Sequence, residues 1–434
     1  MNKLEKEEKV KDLIAEIERY RHTYGNSQTI QRFEESILEA NNPKLSYYFA
    51  SAIQDANIKA HAAVVIESKD LESNYYFAKY IPEANIVAHA KVILESKDAK
   101  YNLMFAANIS DDYGKAHERI VLESKDPKWN YAFAKEIVGA DIKAHAKAVI
   151  ESKNPKYNYL FATYILNFIN KNINEIRKMQ NDSKLKKLLY KKNMDANIQK
   201  LQEEIKDYMA IIEAQSKVII ESKDPIYNYN FAIYIAKENI QAYADAVIES
   251  KSPEYNYYFA RDISKEKIKE HASVVLESKD PECNYDFAKD IEESDKKAHA
   301  AAILESKDPE YNYLFARDIE ESDKKAHAAV VLESKNPVYN YYFARDIEGA
   351  DKEAHAAVII ESKSSEWNFE FASSIQGANI EAHYEAIKDN IKNSNDKKYL
   401  SSLKQFYTQY ARDNDYTKKI KQLIKDVSIK KSSK

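Results

Sequence analysis

Nine of the ten histidines in this 434-residue chain recur at one place in a repeating pattern: His61, His89, His117, His145, His271, His299, His327, His355 and His383. Imidazoles in series could ligate a metal or pass protons. Zinc, however, needs its nitrogens about 2.0–2.1 Å from a single ion, whereas side chains on successive packed helices stand roughly 8–10 Å apart. Neither HExxH nor a cysteine pair accompanies them, and the equivalent place holds Phe33, Gln215 and Tyr243, none of which does imidazole chemistry. Packing and hydrogen bonding therefore explain this column better than catalysis does.

A second column joins a tyrosine to a cation four residues on, one helical turn away. It pairs Tyr75 with Lys79, Tyr131 with Lys135, Tyr257 with Arg261, Tyr285 with Lys289, Tyr313 with Arg317 and Tyr341 with Arg345. Such a stripe can anchor a protein partner, or stack bases and hold phosphates. Equally, each ring can pack on the next copy with the cation over its face. Ten Glu-Ser-Lys triplets, from Glu67 to Lys363, form a third column. No copy differs from its siblings in a way that would build one special triad, so these serines are not read as nucleophiles.

The elements that carry these columns are copies of one unit, seen in Asp308 to Lys335 as DPEYNYLFARDIEESDKKAHAAVVLESK. Its phenylalanine recurs at 49, 77, 105, 133 and 161, then at 231, 259, 287, 315, 343 and 371, in steps of 28 residues broken by one of 70. A fixed period in this range marks a solenoid, here with an insertion between five copies and six. In each copy an Asp, Asn or Ser stands seven residues before the Phe as an N-cap, and eight of the nine prolines follow it. Helix A starts there and runs through YNYxFA to an isoleucine. A second cap such as Asp323 opens helix B. The apolar face of helix A repeats aromatic, Asn, Phe, Ala, Ile, and the buried Asn requires a hydrogen-bonding neighbour. The residue just before the Phe varies most, as an exposed position does.

With five Gly, nine Pro and 31% charged residues, the expected fold class is all-α: an α-solenoid of eleven two-helix repeats, capped by helices, with an inserted long helical hairpin. The expected divisions are an N-terminal cap at 1–41, repeats at 42–165, the hairpin at 166–215, further repeats at 216–391 and a C-terminal cap and tail at 392–434. Near the hairpin tip lie Arg177, Lys178, Lys184, Lys186, Lys187, Lys191 and Lys192, with Asp182 the one acid among them. This cluster reads as a solvated helix surface, a protein contact or a nucleic-acid contact. A formal charge of -4 gives no global attraction to nucleic acid or to an anionic membrane. The single Cys283 fits a reducing compartment. The first ten residues have no apolar core and no apolar run approaches about 18 residues, so a cytoplasmic location is expected.

The pattern DPEYNYLFARDI with its trailing VVLESK resembles short bacterial α-helical repeats of the HEAT-like and leucine-rich-variant kind, which also open on Asp-Pro and carry an Ala-Arg pair. The resemblance covers about residues 42–391, and it implies a binding scaffold with no catalytic residue. Richness in Lys, Asn, Ile and Tyr also resembles that of chains from AT-rich bacterial or phage genomes. The expectation is a non-enzymatic scaffold without metal or cofactor that engages a protein through the concave solenoid surface and the basic hairpin. The alternative is a nucleic-acid-binding solenoid that uses the Tyr, Lys and Arg stripe with the same hairpin. Neither a membrane nor a small-molecule substrate is expected as partner.

Overall fold

In the computed structural model the described residues are Ala15, Arg19 and residues 27–109, 114–181, 191–236 and 238–393. Among them are 23 helices and no strand, with adjacent helices paired in a repeating fashion as an α-solenoid. Much of the N-terminal cap expected at 1–41, all but residues 392 and 393 of the C-terminal cap and tail expected at 392–434, and residues 182–190 of the insertion lie outside the described residues. By Cα proximity the chain divides into two compact units, Met1–Tyr227 and Asn228–Lys434.

Copy 9 shows how the sequence builds each pair. Asp308 accepts hydrogen bonds from the N–H groups of Glu310 and Tyr311 at 2.9 and 3.2 Å, and Pro309 occupies the first helical position, so helix A begins as Pro309–Asp318. It stops one residue short of the isoleucine that the pattern places inside it. Ile319 turns extended at φ -103, ψ 108, while its N–H still reaches the Phe315 carbonyl at 3.0 Å and its side chain stays buried. Asp323 then caps helix B, Lys324–Glu333.

The Glu-Ser-Lys triplet is the joint to the next copy. Ser334 Oγ donates to the Val331 carbonyl at 2.7 Å and accepts from the Asn336 N–H at 3.1 Å, tying the end of helix B to the next N-cap. Lys335 adopts the left-handed conformation at φ 54, a place that glycine usually fills.

The core sits between copies. Phe315 is buried against Tyr285, Ala288 and Ile303 of copy 8 and its own Ile319. Helices of 10 or 11 residues are too short to persist alone, so this burial, about 1.5–3 kcal/mol for each Phe, is what holds them. At the insertion, helix A of copy 5 continues as Pro155–Asn181, and Lys191–Ser222 returns into the place of helix B. The two pack through Phe168 on Tyr208, with ring centroids 5.2 Å apart. The return helix also reaches copy 4, where Lys143 meets Asp207 at 2.5 Å.

Candidate interaction surface

The histidine column is a buried hydrogen-bond ladder. In copy 9, Asn312 Nδ2 donates to the Ile303 carbonyl at 3.0 Å and to the Asp308 carbonyl at 2.7 Å. Carbonyls only accept, so the amide nitrogen must face them and Oδ1 is left to accept from His327 Nδ1–H at 2.8 Å. The tautomer follows from this geometry. Each ring also lies on the phenylalanine of its own copy, with Phe315 and His327 centroids 5.1 Å apart. Nε2 of His89, His117, His271, His299, His327, His355 and His383 is buried with no hydrogen-bond partner, and burial pushes these seven imidazoles down to about 4.

Two of the histidines depart from this plan. Ser46 stands where the asparagine would be, and His61 turns Nε2 to Glu34 Oε1 at 3.2 Å instead. His145 keeps Asn130 at 2.8 Å and has Glu118 Oε1 at 3.5 Å from Nε2. Burial lowers both histidines, against the opposing pull of the carboxylate. Among the described residues no three His, Cys, Asp or Glu side chains converge as a metal site would require.

The tyrosine column lies deeper than its place on the flank of helix A suggests, because the next copy covers that flank. Tyr75, Tyr257, Tyr285, Tyr313 and Tyr341 are only 2–5% exposed, and Tyr131 is half-buried. The cations beside them do reach solvent. Lys79, Lys135, Arg261, Lys289, Arg317 and Arg345 all stand over their tyrosine rings, at 5.0–5.7 Å from the centroids.

An aspartate three residues after the Phe completes the arrangement. Arg317 holds Asp318 with two bonds, at 2.6 and 2.8 Å, and donates to Tyr313 Oη at 3.2 Å. Asp318 accepts in turn from Tyr285 of copy 8, and Asp346 accepts from Tyr313 at 2.6 Å. The hydrogen bonds from Arg317 hold the Asp318 carboxyl below the usual carboxylate range, against burial. Tyr229, which donates to Asp262 at 2.7 Å, is pushed up to about 12 by burial and by that bond. Sequence reasoning paired each tyrosine with its cation and passed over the aspartates. Reading the column beside the Arg in copies 7, 9 and 10 would have found Asp262, Asp318 and Asp346.

The variable residue before the Phe is half-buried more often than exposed, since it leans on the neighbouring helix A; Tyr342, for example, stacks on Tyr313 at 5.8 Å. Between helices A of copies 9 and 10 this leaves a cleft of about 370 Å³, lined by Glu310, Tyr313, Leu314, Val338, Tyr339, Tyr342 and the two arginines Arg317 and Arg345. On the insertion, Arg177 and Lys178 are exposed on the outgoing helix. Lys191 and Lys192 begin the return helix, and Lys184, Lys186 and Lys187 lie outside the described residues. No described helix is long and apolar enough to cross a membrane.

No family model, curated protein or solved structure matches the chain.

Proposed function

We propose that the chain is a non-enzymatic, HEAT-like binding scaffold of the bacterial or phage cytoplasm that engages a protein partner along its helix A side and through the basic hairpin. The observation that supports this best is the cleft between copies 9 and 10. Tyrosine and arginine around a shallow aliphatic floor are what protein interfaces use as anchors. The charge pattern there also favours protein over nucleic acid. There Arg317 and Arg345 are balanced by Asp318 and Asp346, and the phenols of Tyr313 and Tyr339 are engaged by Asp346 and Glu310, so the cleft presents mixed polarity with little net attraction for phosphates.

The test is capture from the native host, followed by mass spectrometry and nucleic-acid extraction of the eluate. The expected result is a specific protein whose retention falls about tenfold for Leu314→Ala with Tyr342→Ala, while circular dichroism is unchanged. An eluate of RNA or DNA, released steeply by salt and indifferent to those two substitutions, would establish the nucleic-acid reading in its place.

A further inference from the structure

The starts of helices A carry charges that differ between two stretches of the chain, one in each compact unit. Just after the first helical position stand Lys100, Lys128 and Lys156 in copies 3 to 5, and Glu254, Glu282 and Glu310 in copies 7 to 9; all six are exposed. Each lysine is poised over the aromatic ring that follows it, Tyr101, Trp129 or Tyr157, at 5.1, 4.4 and 5.8 Å.

A single helix B position sets the balance of the neighbouring Glu-Ser-Lys lysines. Lys91, Arg119 and Lys147 take Glu95, Glu123 and Glu151 at 3.9, 3.7 and 4.0 Å. Lys69, Lys97 and Lys125, each 26 residues before one of those glutamates, are thereby left without a carboxylate among the described residues, and Lys97 and Lys125 add to the basic edge. In copies 8 to 10 that position is Ala301, Ala329 and Ala357, and Glu305, Glu333 and Glu361 turn instead to Lys279, Lys307 and Lys335 at 2.6, 3.2 and 3.1 Å. Those lysines are neutralised, and the edge glutamates nearby are not. Glu254 and Glu310 accept from Tyr258 and Tyr339 at 3.2 and 2.6 Å, which leaves their charge in place.

We propose that the lysine edge of copies 3 to 5 docks on the glutamate edge of copies 7 to 9 of a second molecule of this chain. Both rows are written by the same 28-residue period. Once one Lys–Glu pair is in register, the other two fall into register with it. A base-stacking ligand fits the lysine edge less well, because Tyr101 and Tyr157 already pack on Tyr75 and Tyr131 at 6.5 Å and carry a lysine besides. The contact joins two different patches, so molecules add head to tail. Exposed pairs are screened, which makes the association weak and salt-sensitive.

Sedimentation of the purified chain tests this without any foreign partner, so it stands or falls separately from the scaffold reading. The expected result is concentration-dependent growth at about 0.05 M salt that disappears near 0.5 M. The triple variant Lys100→Glu, Lys128→Glu, Lys156→Glu should weaken association by about tenfold or more, as should Glu254→Lys, Glu282→Lys, Glu310→Lys. Combining all six changes in one chain should restore it, with circular dichroism constant throughout. A single monomeric species at every concentration overturns the proposal, as does association that ignores either reversal or is not rescued by the combination. A monomer that instead binds poly-glutamate through the lysine edge also overturns it and assigns the edge to a foreign acidic segment.

Discussion

A proton added to His327 would have to sit on Nε2, where burial offers it no acceptor, since Nδ1–H is already committed to Asn312. The folded chain holds seven such imidazoles near 4, while an unfolded histidine titrates near 6.5. Between these values the unfolded chain binds protons that the folded chain refuses. The contribution is therefore complete above about pH 6.5 and is lost as pH falls toward 4, at up to about 1.4 kcal/mol per pH unit for each histidine. Denaturant midpoints measured from pH 7 to 4.5 should drop steeply, and His327→Phe should flatten the drop by roughly one proton. A midpoint constant over that range would refute the buried neutral ladder. Lys335 and its equivalents carry a different cost. Lys307 is held left-handed at φ 56, so Lys307→Gly should stabilise the fold by about 1 kcal/mol, more than the exposed pair with Glu333 returns. Destabilisation in thermal melts would show that pair to be worth more than its exposure suggests. The Asn and His columns were legible as columns. Their 15-residue partnership was not, because it depends on how the linker turns helix B back over helix A.

The helices themselves were legible from caps and period, down to Asp308 with Pro309 at the start of helix A. Their ends were less so: Ile319 looks helical in the pattern because it shares the apolar face, yet it is buried as an extended residue that begins the linker. The insertion is the element most open to a direct test. At about 1.5 Å per residue its outgoing helix of 27 residues runs about 40 Å, against about 15 Å for its 10-residue counterparts. Ile169 and Ile176 on that helix and Tyr208 and Ile212 on the return helix are buried, so the pair is braced well beyond the repeat. Replacing residues 178–195 by a short Gly-Ser linker should leave helicity intact and the melting temperature within about 3 °C. Reversing Arg177, Lys178, Lys184, Lys186, Lys187, Lys191 and Lys192 to Glu should weaken capture of the native partner. Undiminished capture by a folded reversed variant would make the hairpin a brace and return recognition to the cleft of copies 9 and 10.

At the scale of the whole molecule, the period announces that stability is shared between neighbours and nowhere else. What it conceals is the drift of charge along the array, because Lys128 and Glu282 occupy one column of a pattern that constrains neither. The local nature of the packing leads to the widest prediction. Phe315 fills the space between copies 8 and 9 with Tyr285, Ala288, Ile303 and Ile319, and no residue of Met1–Tyr227 belongs to that cluster. Truncation to Ala should cost about 3–5 kcal/mol at that junction, the usual toll of a large buried ring. In an array held by nearest-neighbour interfaces this loss is not averaged over the chain. Amide hydrogen exchange of Phe315→Ala should accordingly show protection collapsing in helices A and B of copies 8 and 9, then fading outward through copies 7 and 10. The helices of copies 1 to 4 should keep their parental rates. A uniform loss along all the described helices would mean that the eleven copies open as one cooperative body, with coupling passing through each junction at more than the cost of breaking it.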